Sequence, residues 1–378
     1  MDNAADTSTS ADRLSTRHAV RWVAGCVAAV IAVYGLVSVW VTDDSYLTRM
    51  GRVKEVHFIL RDVREVDREA TYGDAPVTWI IGSSIARETF DAERIEARLA
   101  EAGSEHRVAK FAFNRGAPIF TQAIADDLPL RPGDRVVTSI AEGNFRLSWL
   151  EEAAAFDEYV QAILGPHEIF SLSDASFANQ LEWSLGSTPP SAFFRNQPAF
   201  RRGLVEVVGS WFGLWKVKSR RHVSYQPFTK TKRTLRKNAD QDWTLPPDEL
   251  QLGPGQTNYD GLTWLIEDLE ARGVDLTVVY VPGHPRLYEA FVKLESVEAV
   301  QEHFDGREEL DYHRLAPRKG KAYQDYKHPN DRGRPGFSDD LADLLLTAQG
   351  LPLPPREADS MRAPQGLLPE PLHKALTP

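Results

Sequence analysis

Residues 77–84 read Val-Thr-Trp-Ile-Ile-Gly-Ser-Ser. A short β-branched and aromatic run closed by glycine predicts a strand, Val77–Ile81, buried on both faces, and the Gly-Ser-Ser after it predicts a tight turn. Phe90–Ala102 then carries apolar residues at helical spacing behind Asp91, a residue type that caps helices. The order repeats outward from there. Val108–Phe113 reads as strand with Pro118–Asp127 as helix, and Arg135–Ala141 as strand with Ser148–Leu164 as helix. After an interruption, Gly261–Gly273 reads as helix and Leu276–Val281 as strand. Such alternation predicts an α/β protein with a parallel sheet covered by helices on both faces, its functional loops lying at the carboxyl ends of the strands. The loops in question begin at Gly82, Asn114, Glu142 and Pro282.

The chain has 378 residues, 42% of them hydrophobic, and a formal net charge of −10. This composition excludes a wholly disordered chain, a collagen-like repeat and a generally basic nucleic-acid binder. The single cysteine, Cys26, allows neither an intramolecular disulfide nor a cysteine-rich zinc site. His303, Asp311 and His313 lack metal-ligand spacing, and no phosphate loop or dinucleotide fingerprint is present, so neither metal nor cofactor is expected.

Trp22–Val41 is a run without a charged residue, long enough as a helix to span a hydrocarbon core of about 30 Å. Arg13, Arg17 and Arg21 precede it, and Asp43 and Asp44 follow it. The positive-inside bias therefore predicts a cytoplasmic tail at 1–18, a transmembrane anchor at 19–41, and the rest of the chain outside the cytoplasm, on an inner or plasma membrane. Residues 42–72 hold apolar residues at three-and-four spacing from Val53 to Val66 and predict an amphipathic stalk or docking helix. The main α/β domain is expected over 73–348, with an insertion at about 165–257 in which the alternation stops. Within it, Arg195–Lys237 contains twelve Lys/Arg against one acid, beside Trp211, Phe212 and Trp215. This segment reads as a solvated cap, a contact with anionic lipid, or a groove for an anionic polymer. Residues 349–378 are proline-rich and without periodicity, and predict a poorly ordered tail.

Ser84 sits where a strand turns into a helix, a geometry that exposes a hydroxyl beside backbone N–H groups and suits a nucleophile; the other reading is a plain capped turn. Near the other end, Asp325 and His328 share one short loop before a helix expected around Ser338. A carboxylate three residues from an imidazole can orient a base and stabilise its protonated form. Arg87, one helical turn past Ser84, could bind an anionic group of the substrate or pair with Glu88, and His284 in Gly283-His284-Pro285 could line a cleft or stand in an ordinary loop.

Taken together and in chain order, four blocks resemble the SGNH (GDSL-type) hydrolase family: Gly82-Ser83-Ser84, Asn114-Arg115-Gly116, Ala141-Glu142-Gly143-Asn144-Phe145, and Asp325 with His328. The third block departs from the family's Gly-x-Asn-Asp, with Glu142 and Phe145 at its first and last positions. The resemblance implies a three-layer flavodoxin-like fold, a Ser84–His328–Asp325 triad, and an oxyanion hole from Ser84 N–H, Gly116 N–H and the Asn144 side chain. With the N-terminal span it is similar to membrane-anchored envelope proteins such as those of D-alanine transfer and alginate O-acetylation. The function so implied is a serine esterase or O-acyltransferase on an acylated envelope glycan or polymer, beside a membrane-bound O-acyltransferase. The alternative is a scaffold or binding partner that keeps the fold without turnover.

Overall fold

The computed structural model describes residues 18, 20–30, 32, 55–114, 116–146, 163–164, 166–187, 245–285, 288, 292–356 and 362. By contacts the chain divides into two compact units, Met1–Val53 with Leu185–Arg220, and Lys54–Ser184 with Arg221–Pro378. The second unit is α/β. In chain order it runs α1 (Glu55–Arg64), α2 (Arg68–Tyr72), β1 (Val77–Gly82), α3 (Ser84–Thr89), α4 (Ala92–Glu101), β2 (Arg107–Ala112), α5 (Pro118–Asp127) and β3 (Arg135–Ile140). A 3₁₀ turn, Glu142–Phe145, follows, then α6 (Pro166–Phe170), α7 (Phe177–Ser187), α8 (Thr257–Ala271), β4 (Asp275–Tyr280), α9 (Leu294–Asp305), β5 (Asp311–Arg314) and α10 (Arg334–Ala348).

The five strands are parallel and ordered β2-β1-β3-β4-β5. Every residue of β1 and β3 is buried, which explains why those strands read as continuous apolar runs rather than alternating ones. Alternation appears instead in which layer each side chain enters. Val77, Trp79 and Ile81 pack with Ile59 and Leu60 of α1, Ile119 and Phe120 of α5, and Leu262 and Leu265 of α8. Ile80 packs on the opposite face with Ile85 of α3, Leu99 of α4, and Phe337 and Leu341 of α10. Helices thus cover both faces of the sheet, giving three layers. Because β2 lies on one side of β1 and β3 on the other, the chain reverses its winding direction between β1 and β3, and the carboxyl ends of those strands are where such sheets bind ligands.

Three expectations meet the structure differently. The helix expected as stalk or docking element is docked: Ile59, Leu60 and Val63 of α1 are at most 2% exposed, and Arg64 reaches Asp127 of α5. The domain therefore begins before residue 73. Part of the expected insertion belongs to the same core, since Ile169, Leu172 and Trp183 are buried in the α1, α5 and α8 layer. The stretch 351–356, expected as loose tail, is pinned, with Arg98 donating to the Pro354 and Pro355 carbonyls and Arg356 paired with Asp340 and Asp343. The basic segment 195–237, the expected helix 148–164 apart from its last two residues, and residues 33–41 of the expected anchor lie outside the described residues. Among the described residues no helix is long and apolar enough to cross a membrane.

Candidate active site

Ser84 is the first residue of α3, directly after β1, and Ser83 caps that helix by accepting a hydrogen bond from Ile85 N–H at 3.1 Å. As a first-turn residue, Ser84 has an N–H with no acceptor inside its own helix. Its Oγ lies 2.9 Å from His328 Nε2, across 244 positions of sequence. His328 Nδ1 lies 2.8 Å from Asp325 Oδ2, and the N–H groups of Lys327 and His328 donate to Asp325 Oδ1 at 3.0 and 2.8 Å. The carboxylate accepts only, so Nδ1 carries the ring proton and Nε2 accepts from the serine hydroxyl.

Two sets of contacts hold these segments together. Within the loop, Gln324 N–H donates to the His328 carbonyl, and Asn330 donates from its side chain to the Lys321 and Tyr323 carbonyls while its own oxygen accepts from Arg332 and Gly333. From the loop's helix, Arg334 donates to the carbonyl and carboxylate of Glu88 in the nucleophile's helix, and Ser338 Oγ accepts from the N–H of Asp91, which caps α4. The seat of α10 against α3 is what brings base and nucleophile within reach.

Burial pushes the Asp325 carboxyl up, but the hydrogen bonds from the His328 ring and from two backbone N–H groups outweigh it and hold the group at about 2. Burial pushes the His328 imidazole down, and Asp325 restores part of the difference. A general base works only when neutral, so reaction at Ser84 is expected to fail as pH drops through the lowered His328 value. The acid limb of a kcat/KM profile should have its midpoint below about 6.5, the ordinary imidazole value. A midpoint above it would show that the buried His328 is not the titrating base.

No protein-family model matches this chain, and no curated protein matches it. The chemistry therefore rests on the geometry. A serine hydroxyl bonded to an oriented, neutral imidazole is set up for nucleophilic attack on a carbonyl.

The expected oxyanion donors differ among themselves. Asn144 closes the turn after β3; its Oδ1 accepts from Ala141 N–H at 2.9 Å, which leaves the amide nitrogen as the donor end. Gly116 N–H donates to the Phe113 carbonyl at 3.2 Å, so binding an oxyanion there requires giving up that turn bond. Gly116 itself is demanded by a close approach. A Cβ at this position would fall 2.2 Å from the Gly82 carbonyl oxygen, backbone that continues the β1–β2 ladder through Phe113 N–H. Gly116→Ala should displace the nucleophile turn and destabilise the protein by about 1–3 kcal/mol, read from a urea midpoint; a wild-type midpoint would contradict the close approach.

Arg87 donates to Glu88 at 2.9 Å and to Asn114 at 3.4 Å, tying α3 to the turn after β2, the pairing role rather than a shown substrate role. His284 donates its backbone N–H to the Tyr326 carbonyl at 2.8 Å, and its ring packs on Gly320 and Tyr323, the segment leading into Asp325. Among the described residues no cluster of three or more His, Cys, Asp or Glu could hold a metal ion. Sequence reasoning missed the supporting residues Asn330, Glu88 with Arg334, and Tyr288. Of these, the pair Glu88–Arg334 is buried on both sides, yet Arg87 and Thr89 flank the acid in a helix that reads Ser-Ile-Ala-Arg-Glu-Thr, so no local pattern marks it.

Proposed function

We propose that the protein is a membrane-anchored serine esterase or O-acyltransferase of the flavodoxin-like SGNH type, acting on an acylated envelope glycan or polymer. The observation that carries this reading is the continuous hydrogen-bonded chain Ser84–His328–Asp325 at the switch point of a parallel sheet. Ser84 Oγ attacks an ester carbonyl as its proton passes to His328 Nε2, and Asp325 stabilises the imidazolium. The tetrahedral oxyanion is met by Ser84 N–H, the Asn144 amide and Gly116 N–H once released from Phe113. His328 then protonates the leaving alcohol. Water or a polymer hydroxyl, activated by the same imidazole, takes the acyl group from Ser84.

The anchor reading is supported by the helical residues 20–30, apolar except for Arg21 and exposed throughout, including Val20, Trp22, Val23 and Val27. A helical stretch whose described residues are all exposed and all but one apolar suits lipid. On this reading the α/β unit lies outside the cytoplasm, with a membrane-bound O-acyltransferase as the natural acyl donor.

One observation favours a second reading, a scaffold of the same fold without turnover: the Gly116 N–H is already bonded within its own turn. Reaction of the full-length protein with a fluorophosphonate separates the two. The esterase reading expects one phosphonyl adduct, mapped to Ser84 by mass spectrometry and absent in Ser84→Ala. An unmodified Ser84 at millimolar reagent overturns it in favour of the scaffold.

A further inference from the structure

The turn that carries Asn144 begins with a carboxyl group sealed inside the protein. Glu142 is 0% exposed. Its Oε1 accepts from the Tyr280 hydroxyl at 2.6 Å and its Oε2 accepts from the Tyr288 hydroxyl. Burial pushes the carboxyl up, and the two phenol bonds pull it part of the way back. A carboxyl with both oxygens committed and no access to solvent cannot touch substrate, so its role must run through what it holds.

The two phenols come from different places. Tyr280 is the last residue of β4, so its bond ties Glu142 to the sheet. Tyr288 belongs to the loop after β4, and its ring stacks on that of Tyr326 at 6.3 Å and 29°. Tyr326 follows Asp325 directly. The same two loops are joined again by His284 N–H to the Tyr326 carbonyl at 2.8 Å and by the Tyr323 hydroxyl to the Pro282 carbonyl at 2.8 Å. Gly283 leaves room for the arrangement, because a Cβ there would fall 2.1 Å from the Tyr288 ring. On its other side the Asn144 turn is held by Asn258 at the start of α8, whose amide donates to the Asn144 carbonyl.

We infer that Glu142 is a positioning residue that, through Tyr288 and Tyr326, sets the Asn144 turn and the Asp325–His328 loop in register. This rests on the esterase reading of the same site. Glutamate does here what glutamine cannot, since a carboxylate accepts from two phenols at once whereas an amide accepts on one side and presents N–H to the other. Displacing an oxyanion donor from the base by a fraction of an ångström lowers the rate of the chemical step without weakening ground-state binding.

The test uses full-length protein in detergent with p-nitrophenyl acetate, and Glu142→Gln, Tyr288→Phe and Tyr280→Phe beside Ser84→Ala. The expected result is a fall in kcat of about tenfold to a hundredfold for Glu142→Gln and Tyr288→Phe, with KM unchanged. Tyr280→Phe, which leaves the link through Tyr288 whole, should lose less kcat than Tyr288→Phe at an equal or larger loss of Tm. If kcat merely follows Tm across the three variants, or Tyr288→Phe turns over like wild type, the positioning role is overturned while the esterase stands. Wild-type turnover no faster than that of Ser84→Ala overturns the esterase reading, and the positioning role with it.

Discussion

Ser84→Ala is expected to lower esterase turnover by about 10⁵-fold or more, to whatever the oxyanion donors and binding alone supply. The expectation follows from the serial arrangement of the site. Ser84 Oγ, His328 Nε2 and Nδ1, and Asp325 Oδ2 are joined by contacts of 2.9 and 2.8 Å, so each group acts only through the next. His328→Ala should therefore cost nearly as much as Ser84→Ala, and the double variant little more than either. Asp325→Asn should cost less, because it spares nucleophile and base but loses the carboxylate that selects the Nδ1–H tautomer. Initial rates on p-nitrophenyl acetate, corrected for the reaction in buffer, check all four. Rates for Ser84→Ala within threefold of wild type would remove the nucleophile, and additive losses in the double variant would break the serial scheme.

The largest expected effect on stability lies at the other end of β1. Asp134 is fully buried, and its two oxygens accept from both terminal nitrogens of Arg68 at 2.7 and 2.9 Å, from Val77 N–H at 2.9 Å, from the Trp79 indole at 3.1 Å and from Arg131 N–H at 3.0 Å. One carboxylate thus joins α2, the start of β1 and the turn into β3. Asp134→Ala leaves the Arg68 guanidinium, itself 4% exposed, without its counter-charge, and leaves two backbone donors and an indole unpaired. Breaking a buried pair from one side costs about 3–5 kcal/mol. Urea unfolding followed by circular dichroism should show that loss, and Arg68→Met in the same chain should recover part of it by removing the stranded charge. A loss under about 1 kcal/mol would mean that water replaces the carboxylate at little cost. β1 separates this cluster from Ser84 by about 20 Å, so the folded fraction of the variant should keep its reactivity towards fluorophosphonate.

The parallel sheet was legible because buried strands such as β1 and β3 announce themselves as apolar runs, and the helices between them by their spacing. β5 was not, for the opposite reason. Asp311–Arg314 is a four-residue strand with charged and polar side chains, paired among the described residues with β4 alone, and carries no burial signal. No element is predicted for the stretch that forms α9, although Val297, Val300 and Phe304 keep helical spacing. In the site, the residue types and order of the triad were legible, and its closure was not. Closure depends on Arg334 meeting α3, and Ser338 the cap of α4, across about the whole length of the domain, contacts that no local pattern encodes. Glu142 was visible only as a departure from the expected glycine. Its two phenol partners arrive from β4 and the loop beyond it.

The seat of α10 on α3 also sets a timetable. Synthesis delivers Ser84 first and His328 244 positions later, so for most of the chain's emergence the hydroxyl is without its imidazole partner. Only when α10 has cleared the ribosome and folded back can the Ser84–His328 contact form. On the esterase proposal, a nascent or clipped chain that ends ahead of α10 would be inert, and the cell would be spared a half-made catalyst loose among its own esters.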